Sequence, residues 1–472
     1  MFKKIITLQI FLLLTTFLHS QNLLKIDSLS HHLIDHYKLK GIAIVGVSNN
    51  KIIYNKTFGM ANETSALSDS SRIYIASNTK AFVGLALSKL AFEKQINYSD
   101  PITKYISSSK FPDNIEADQI KIKDLLQHTH GLSNDAIVFR TAYSGDYPSD
   151  LSELLKYTVY QNDTLSHNFR YSNLGYLIGG IIIKNVTGLE WKDYLKKNIF
   201  NPIGMSNTTT KMDFNTTLEV LPFDSGIDEH LSSRKTENTL HSAGGIYSTL
   251  DDMGKWLRVF TNESQTIFNK NLVKSYLNER TIVQSRIGPF SMDEYGNGWI
   301  YGSLMGDTLF FHFGSFYGYE SMMSFNPNNK SGVFVFINER IAGQRLAAML
   351  SAYFYFVLNG DTKADEKISM FSKFIDPMYA KKKETKKVFT YENSEKLIGT
   401  YFNPKYGNLI VDKNTEGFRF SLGRLKAIGK KGEKENEIII EWTPGIEEHF
   451  LISIEKENIK LNYGDFGVFI KQ

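Results

Sequence analysis

Strand-like segments lie near both ends of this 472-residue chain and flank a mainly helical middle. Near the start, Gly41–Ser48 and Lys51–Phe58 flank Asn49-Asn50, which predicts a β-hairpin with a two-residue turn. Strand patterns return at Gly298–Tyr301, Thr308–Phe313, Ser321–Phe325 and Gly332–Ile337. The order predicts an α/β (α+β) fold, in which one antiparallel sheet is built from distant segments and a helical subdomain is inserted at about residues 100–235. Such an insertion places a cleft between two subdomains, where active sites commonly lie.

The composition changes after residue 361. Lys381–Lys383 and Lys386-Lys387 form a charged run, which is typical of a solvated linker, and we assign residues 362–388 to it. Residues 389–472 then alternate apolar and polar positions between polar turns. This pattern predicts a small antiparallel, barrel-like β domain that follows a main domain of residues 21–361.

Charge and cysteine content exclude several classes of function. The formal net charge of +4 is too small and too diffuse to indicate a nucleic-acid partner. The absence of cysteine excludes disulfides, a thiol nucleophile and a thiolate metal site. His128 and His130 are two positions apart, but no third metal ligand accompanies them, so we expect neither a metal nor a cofactor.

Residues 1–20 have the features of a signal peptide. Lys3 and Lys4 precede the mostly apolar stretch Ile5–Leu18, which is too short to span a bilayer, and Ser20 suits the position before a cleavage site. We therefore expect an exported protein, periplasmic or secreted, without a membrane segment after cleavage. The alternative is an uncleaved anchor.

Ser77 and Lys80 form a Ser-x-x-Lys motif at the start of a predicted helix that ends near Glu93. At this spacing both side chains lie on one face of the helix. A serine hydroxyl needs a neighbouring base, and a lysine can serve if its surroundings favour the neutral amine. Taken alone, the motif is weak evidence, because chance matches are common and it also fits a helix cap followed by a solvated lysine.

Two later motifs are also ambiguous when taken alone. Tyr171 and Asn173 precede an apolar run, so they are candidates for proton transfer and for hydrogen bonding to a substrate amide, or for an interfacial tyrosine with a capping asparagine. His312, Gly314 and Ser315 end an apolar strand pattern. The glycine allows close approach of a substrate, and backbone amides at such a strand can form half of an oxyanion hole. The alternative is a strand-end histidine beside a turn glycine.

The order Ser-x-x-Lys, Tyr-x-Asn, His-x-Gly resembles the serine β-lactamase-like family, which holds class C β-lactamases, serine D-alanyl-D-alanine peptidases, D-aminopeptidases and related esterases. Further segments that match the family are Leu125–Leu132, Phe200–Met205, Ala243–Thr249 and Tyr295–Trp299. The resemblance spans about Leu33 to Val357 and implies a β-lactamase/penicillin-binding-protein-like fold. In the last domain, Leu397–Gly407 resembles the opening of the lipocalin-like β domain that is often appended to these hydrolases.

The resemblance implies a role for each catalytic candidate. Ser77 is the implied nucleophile, Lys80 its proton-handling partner, and Tyr171 the residue that passes a proton to the leaving group and later activates water. Asn173 would orient the acyl group, and the backbone amides of Ser77 and Ser315 would form the oxyanion hole. Whether Lys80 or Tyr171 is the acylation base stays open.

His312 and Phe313 depart from the lysine and threonine that many β-lactamases carry at these positions. Phenylalanine has no hydroxyl to donate, and a histidine with a reference pKa of about 6.5 is largely neutral at neutral pH. We therefore expect weak recognition of a carboxylate next to the scissile bond, with improvement as the pH falls and His312 protonates.

Together these features predict an exported serine hydrolase that cleaves amide or ester bonds of small peptide-like substrates through an acyl-enzyme on Ser77. Peptides with D-residues are the favoured class, and the expected partner is a small molecule or a peptide, including a cell-wall peptide. The enzymatic alternatives are a small-ester carboxylesterase and a β-lactamase. The non-enzymatic alternative is a penicillin-binding or cell-wall sensor.

Overall fold

The computed structural model describes residues 23–472 except 163, 213–217, 232–233, 263, 381–386, 391–393, 444–445 and 456–457. The predicted signal peptide lies outside the described residues, and so does most of the basic run in the predicted linker.

An eight-stranded antiparallel sheet forms the centre of the larger part of the chain. In order across the sheet, the strands are Lys51–Gly59, Gly41–Ser48, Ser331–Ile337, Tyr319–Asn326, Asp307–Phe316, Trp299–Leu304, Phe290–Gly296 and Thr281–Ile287. Gly41–Ser48 pairs with Lys51–Gly59 on one side and with Ser331–Ile337, the last strand of this sheet in sequence, on the other, so the sheet joins distant segments as the sequence predicts. The last two strands across the sheet were not predicted, because Thr281–Ile287 is a largely exposed edge strand without a clear apolar alternation.

The predicted hairpin turn is present, with φ angles of 45° at Asn49 and 65° at Asn50. Positive φ at both central residues is the geometry of a type I′ turn, whose twist matches that of the flanking strands. Along Gly41–Ser48, the strand before this turn, Ile42 and Ile44 pack into one hydrophobic core while Ala43 and Val45 pack into another. The sheet is therefore buried on both faces, as its apolar sequence requires.

Helices cover the two faces of the sheet. The helix over residues 23–37 and the helix Gly343–Leu358 pack on one face, and Thr79–Phe92 and Leu250–Thr261 pack on the other. The remaining α-helices of the described residues are Ile122–Gln127, Asp135–Phe139, Asn173–Thr187, Trp191–Leu195, Asn201–Ile203, Lys270–Asn278, Ala364–Tyr379 and Ser394–Leu397. Short strand pairs join Ile73–Tyr74 to Tyr247–Ser248, Leu132–Ser133 to Val159–Tyr160 and Phe223–Asp224 to Glu229–His230. Among the described residues, none of the helices combines the length and the apolar character that crossing a bilayer requires.

Much of the segment predicted to be a solvated linker is helical. The helix Ala364–Tyr379 buries Ala364, Ile368 and Ile375 in the same core as the helix Gly343–Leu358. The charged residues of this segment lie on its solvent side and obscured the apolar stripe in the sequence. The Asp361 boundary therefore separates a helix from the core to which it belongs.

The end of the chain forms a nine-stranded antiparallel sheet with its own core. In order across the sheet, the strands are Leu425–Ile428, Gly417–Leu422, Gly407–Asn414, Gly399–Asn403, Val468–Lys471, Asn458–Asn462, Ile446–Glu455, Glu437–Thr443 and Lys430-Lys431. Its two edge strands are consecutive in sequence, with Gly429 between them, so the sheet curls back on itself. This nearly closed arrangement confirms the predicted barrel-like domain.

The second sheet packs against the helical region of the first part of the chain. The ring of Phe139 contacts the rings of Tyr406 and Phe466 at centroid distances of 5.5 and 6.4 Å. The Tyr157 hydroxyl donates a hydrogen bond of 2.8 Å to the carbonyl of Pro404. The β domain therefore borders the helical side of the cleft.

Candidate active site

Ser77 lies in a tight turn that leads into a buried helix. The turn spans Ala76–Asn78, and the helix Thr79–Phe92 follows directly. Ala76 has a φ of 46°, in the left-handed region that costs a non-glycine residue about 1 kcal/mol. Strain of this kind persists where surrounding contacts impose it, and here the Thr79 hydroxyl accepts hydrogen bonds of 3.1 and 3.2 Å from the backbone amides of Gly245 and Ile246.

Lys80 is completely buried and faces three oxygen atoms. Its Nζ lies 3.1 Å from Oγ of Ser77, 2.7 Å from Oδ1 of Asn173 and 2.8 Å from the carbonyl oxygen of Ala243. Two of the three partners are carbonyl-type oxygens, which only accept hydrogen bonds. A neutral amine has two N–H groups for these oxygens and one lone pair for the Ser77 hydroxyl proton.

Desolvation lowers the pKa of Lys80 well below its ordinary value. No carboxylate is among its hydrogen-bond partners in the described residues, so the cost of burying its charge is not offset by an ion pair. The neutral amine is thereby favoured, which is the form that can accept a proton from Ser77.

Tyr171 and Asn173 flank the start of the helix Asn173–Thr187. The Ser172 side chain caps this helix by accepting a hydrogen bond of 3.1 Å from the amide of Leu174, which holds Asn173 against Lys80. The Tyr171 ring centre lies 4.9 Å from Nζ of Lys80. Although 45% of the Tyr171 residue is exposed, desolvation raises the pKa of its hydroxyl above the ordinary value, and the hydrogen bond with Ser77 opposes that rise. The hydroxyl is therefore protonated at neutral pH.

His128 packs against the ring of Tyr171. Its ring centre is 4.5 Å from that of Tyr171, and its Nδ1 accepts a hydrogen bond of 3.3 Å from the amide of Ser172. His130 likewise accepts from a backbone amide, that of Leu132, at 3.1 Å. Both histidines therefore accept hydrogen bonds from the backbone and hold the loop that carries them. The described residues contain no group of three or more side chains arranged to hold a metal ion.

Gly314 lets the strand Asp307–Phe316 pass directly over the turn that carries Ser77. A Cβ atom at position 314 would lie 2.1 Å from the carbonyl oxygen of Ile75 and 2.5 Å from Oγ of Ser321. The Asn78 side chain donates a hydrogen bond of 2.9 Å to Oγ of Ser321 on the neighbouring strand. Turn and sheet are therefore in direct contact, which brings the Ser315 end of the strand beside Ser77.

His312 lies in the site but does not present a free nitrogen to a substrate. Its Nδ1 lies 2.6 Å from the carbonyl oxygen of Phe313, which only accepts, so Nδ1 carries the hydrogen. Its Nε2 therefore accepts from the Tyr295 hydroxyl at 3.1 Å. Burial lowers the pKa of His312 to about 3. The expectation that His312 protonates near pH 6 and then binds a carboxylate is wrong for this arrangement.

Two groups of the site were given no role from the sequence, the Ala243 carbonyl and the Tyr295 hydroxyl. The Ala243 carbonyl is a backbone atom, so no side chain reveals its position, although it lies in a segment that the family resemblance singles out. Tyr295 lies in another such segment, and only the structure shows that its hydroxyl holds His312.

Comparison with known proteins agrees with this fold. A family model described as Beta-lactamase matches residues 26–352. The protein flp of Staphylococcus aureus (strain MW2) is 28% identical over 323 residues, which cover 66% of this chain and 62% of that protein. The chain therefore spans less than two thirds of the length of that relative.

Solved structures show the same fold at lower identity. The octameric penicillin-binding protein homologue from Pyrococcus abyssi superposes with a TM-score of 0.61 at 20% identity and covers 95% of this chain and 99% of its own. The D-amino acid amidase from Ochrobactrum anthropi SV3 superposes with a TM-score of 0.58 at 19% identity and covers 74% and 99%. With the family model extending over most of the chain, this protein belongs to the Beta-lactamase family.

Proposed function

We propose that this protein is a serine hydrolase that cleaves amide or ester bonds through an acyl-enzyme on Ser77. The observation that carries the proposal is the position of the buried Lys80 amine, 3.1 Å from Oγ of Ser77 and bonded to two acceptors that hold its lone pair toward the hydroxyl. A nucleophile within hydrogen-bond reach of an oriented base is the arrangement that serine acylation requires.

In the proposed acylation step, neutral Lys80 takes the proton of the Ser77 hydroxyl as Oγ attacks the carbonyl carbon. The lowered pKa of Lys80 and the raised pKa of Tyr171 support this assignment, because the amine is then the available base and the phenol the available acid. The backbone amides of Ser77 and Ser315 are the proposed oxyanion donors.

In the second half of the proposed reaction, Tyr171 gives its proton to the leaving amine or alkoxide as the bond to the acyl carbon breaks. The phenolate then recovers a proton from protonated Lys80, which returns both groups to their starting forms. In deacylation the same transfers run in reverse: Tyr171 passes its proton to Lys80, and the phenolate takes a proton from the water that attacks the acyl carbon. Protonated Lys80 then returns a proton to Oγ of Ser77 as the acyl group leaves. Asn173 is proposed to orient the acyl group, since its side chain borders both Lys80 and the cleft.

Small peptides and amides with D-residues are the proposed substrate class. A D-amino acid amidase is among the structures with the same fold, which supports this class without establishing it. The occupied nitrogens of His312 and the missing hydroxyl at Phe313 disfavour a free carboxylate next to the scissile bond, as in penicillins. We also propose that the protein is exported, because residues 1–20 have the pattern of a signal peptide.

A substrate panel tests the proposed class. The p-nitroanilides of D-alanine and L-alanine, p-nitrophenyl acetate and nitrocefin are assayed with the unmodified protein and with Ser77→Ala. The proposal predicts Ser77-dependent turnover, faster for the D- than for the L-anilide, with nitrocefin slow at neutral pH. Preference for the L-anilide, or rapid nitrocefin turnover, would contradict the proposed class.

A further inference from the structure

A second buried lysine, Lys235, lies beside the candidate active site. It is 1% exposed, and its Nζ donates to the carbonyl of Ala142. The same atom lies 3.5 Å from the ring centre of Phe316, 5.4 Å from that of Tyr143 and 5.7 Å from that of Tyr74. Aromatic faces attract a cation but do not neutralise it, so these contacts do not offset the cost of burying the Lys235 amine.

The surroundings of Lys235 connect it to the catalytic residues. Phe316 directly follows Ser315 on its strand. The Tyr74 hydroxyl donates to the carbonyl of Gly244, which is the residue after the Ala243 that binds Lys80. Lys235 therefore lies on the side of the cleft formed by the strand end and the Ala243-Gly244 segment.

The β domain brings a cation, Arg424, close to Lys235. The turn at Gly423 and Arg424 meets the loop at Ser144, where the Arg424 amide donates a hydrogen bond of 2.9 Å to the Ser144 carbonyl. Gly423 has a φ of 59°, and a Cβ there would lie 2.4 Å from that carbonyl oxygen, so glycine allows the close contact. Burial lowers the pKa of Lys235, and the charge of Arg424 lowers it further.

Donors without hydrogen-bond partners lie close to Lys235 and Arg424. Nη1 of Arg424 is buried and has no hydrogen-bond partner among the described residues. His241 is 8% exposed, its Nδ1 is likewise without a partner there, and burial lowers its pKa well below the ordinary value. It lies against Gly244, where a Cβ atom would be 3.2 Å from Cε1 of His241. A carboxylate, that of Glu219, also occurs nearby, since both Glu219 and Arg424 are close enough to Tyr247 to affect its pKa in opposite directions. Glu219 pairs with Arg234 at 3.5 Å. This carboxylate is thus already paired, and the described contacts leave Arg424 and the donors around it without an anion.

A guanidinium with a buried, unpartnered nitrogen and neighbouring donors without acceptors are costly unless an anion completes them. We propose that Lys235, His241 and Arg424 bind a carboxylate of the substrate, at a position away from the scissile bond, and that the β domain takes part in substrate selection through Arg424. This inference rests on the proposed hydrolase function. It also gives the site a means of recognising an acidic substrate although His312 stays neutral.

The test compares matched p-nitrophenyl substrates that differ only in one charge. One pair carries the group on the acyl side, as the N-succinyl and N-succinamoyl p-nitrophenyl esters of D-alanine. The other carries it on the leaving group, as 3-carboxy-4-nitrophenyl and 3-carbamoyl-4-nitrophenyl esters of N-acetyl-D-alanine. The readout is the ratio of kcat/KM for carboxylate over carboxamide, which cancels differences in the amount of active protein.

We expect a ratio of ten or more in one of the two pairs, and the pair that responds tells on which side of the scissile bond the carboxylate binds. Arg424→Gln should lower that ratio roughly tenfold, the size expected for one hydrogen bond to a charged group. Lys235→Met should lower it as well if the variant folds, and thermal unfolding checks this. The matched control is Arg419→Gln in the same domain, whose guanidinium pairs with Asp412 at 2.8 Å, and its ratio should stay at the unmodified value.

A ratio near one in both pairs, with hydrolysis that still depends on Ser77, would overturn this inference and leave the proposed function intact. An unchanged ratio in Arg424→Gln would overturn it too, since Lys235 and Arg424 would then serve only to hold the Ser144 loop. Turnover that persists in Ser77→Ala would instead refute the proposed function itself.

Discussion

The Nζ atom of Lys80 lies 3.1 Å from Oγ of Ser77, inside a protein environment that disfavours its charge. The spacing comes from three residues along one turn, and the direction of the lone pair comes from the two acceptors that surround the amine, Asn173 and the Ala243 carbonyl. The helix that carries Lys80, the start of the helix that carries Asn173 and the loop at Ala243 therefore together orient the amine toward the Ser77 proton. The site depends on their relative positions as much as on the residues themselves.

Removing either proton-transfer group should slow the reaction without unfolding the protein. Lys80→Met keeps the length of the buried chain and removes the base, and Tyr171→Phe removes only a hydroxyl. Each should lower kcat by roughly a hundredfold or more, the usual contribution of a general acid or base. Lys89→Met on the same helix is the control for the first change, because Lys89 pairs with Glu93 at the surface. Near-normal rates in both variants, with normal melting curves, would remove these roles from Lys80 and Tyr171.

A methyl group at position 314 should separate the strand from the nucleophile turn. The new Cβ of Gly314→Ala would lie 2.1 Å from the Ile75 carbonyl oxygen, too close for either backbone to stay in place. We expect a lower melting temperature and a loss of activity of about a hundredfold, since displacements of about 1 Å have effects of that size. Unfolding followed by circular dichroism and a p-nitrophenyl ester assay measure the two effects. Normal activity in this variant would show that Ser315 is not part of the oxyanion site.

Stability should fall as the pH drops from about 6.5 toward 4. Burial lowers the pKa of His312 to about 3 and that of His130 to about 4, so in this window the unfolded chain binds protons that the folded chain does not. The stabilisation is complete above the unfolded pKa and is lost as the pH falls, by about 2 kcal/mol for each histidine at pH 5. In His312→Gln, urea unfolding at pH 7 and pH 5 should show a smaller difference than in the unmodified protein. Equal differences in the two proteins would mean that His312 titrates normally.

A chain that ends at Ala380 should be more stable than one that ends at Asp361. The shorter chain lacks the helix Ala364–Tyr379 and exposes the core surface that Ile368 and Ile375 cover, which corresponds to roughly 3–5 kcal/mol. Thermal unfolding of the two truncated proteins measures the difference. Equal melting temperatures would show that this helix contributes little to the main core.

The sequence predicts local geometry well where the residue types or the apolar pattern favour one conformation. Asn49-Asn50 accommodates positive φ angles, so the hairpin turn was predictable, and the apolar strands were found because both sheet faces are buried. The edge strand Thr281–Ile287 was missed because its exposed residues follow no apolar pattern. The helix Ala364–Tyr379 was missed because lysines and acids interrupt its narrow apolar stripe.

The candidate site, too, was predictable from the sequence only in part. The motifs name Ser77, Lys80 and Tyr171, and the structure brings these residues together. The acceptor from Ala243 is a backbone atom, and the hydrogen-bond partners of His312 are set by how strands align. The approach of Arg424 depends on the packing of one sheet on a distant loop, for which a single sequence holds no local signal.

Covalent labelling of one residue tests the central claim most directly. The protein is treated with a fluorophosphonate probe, its intact mass is measured, and the labelled peptide is located by tandem mass spectrometry. The account predicts one added probe per chain, on Ser77, and no label on Ser77→Ala at the same concentration. A label on any other residue of the unmodified protein, or label that persists in Ser77→Ala, would contradict it.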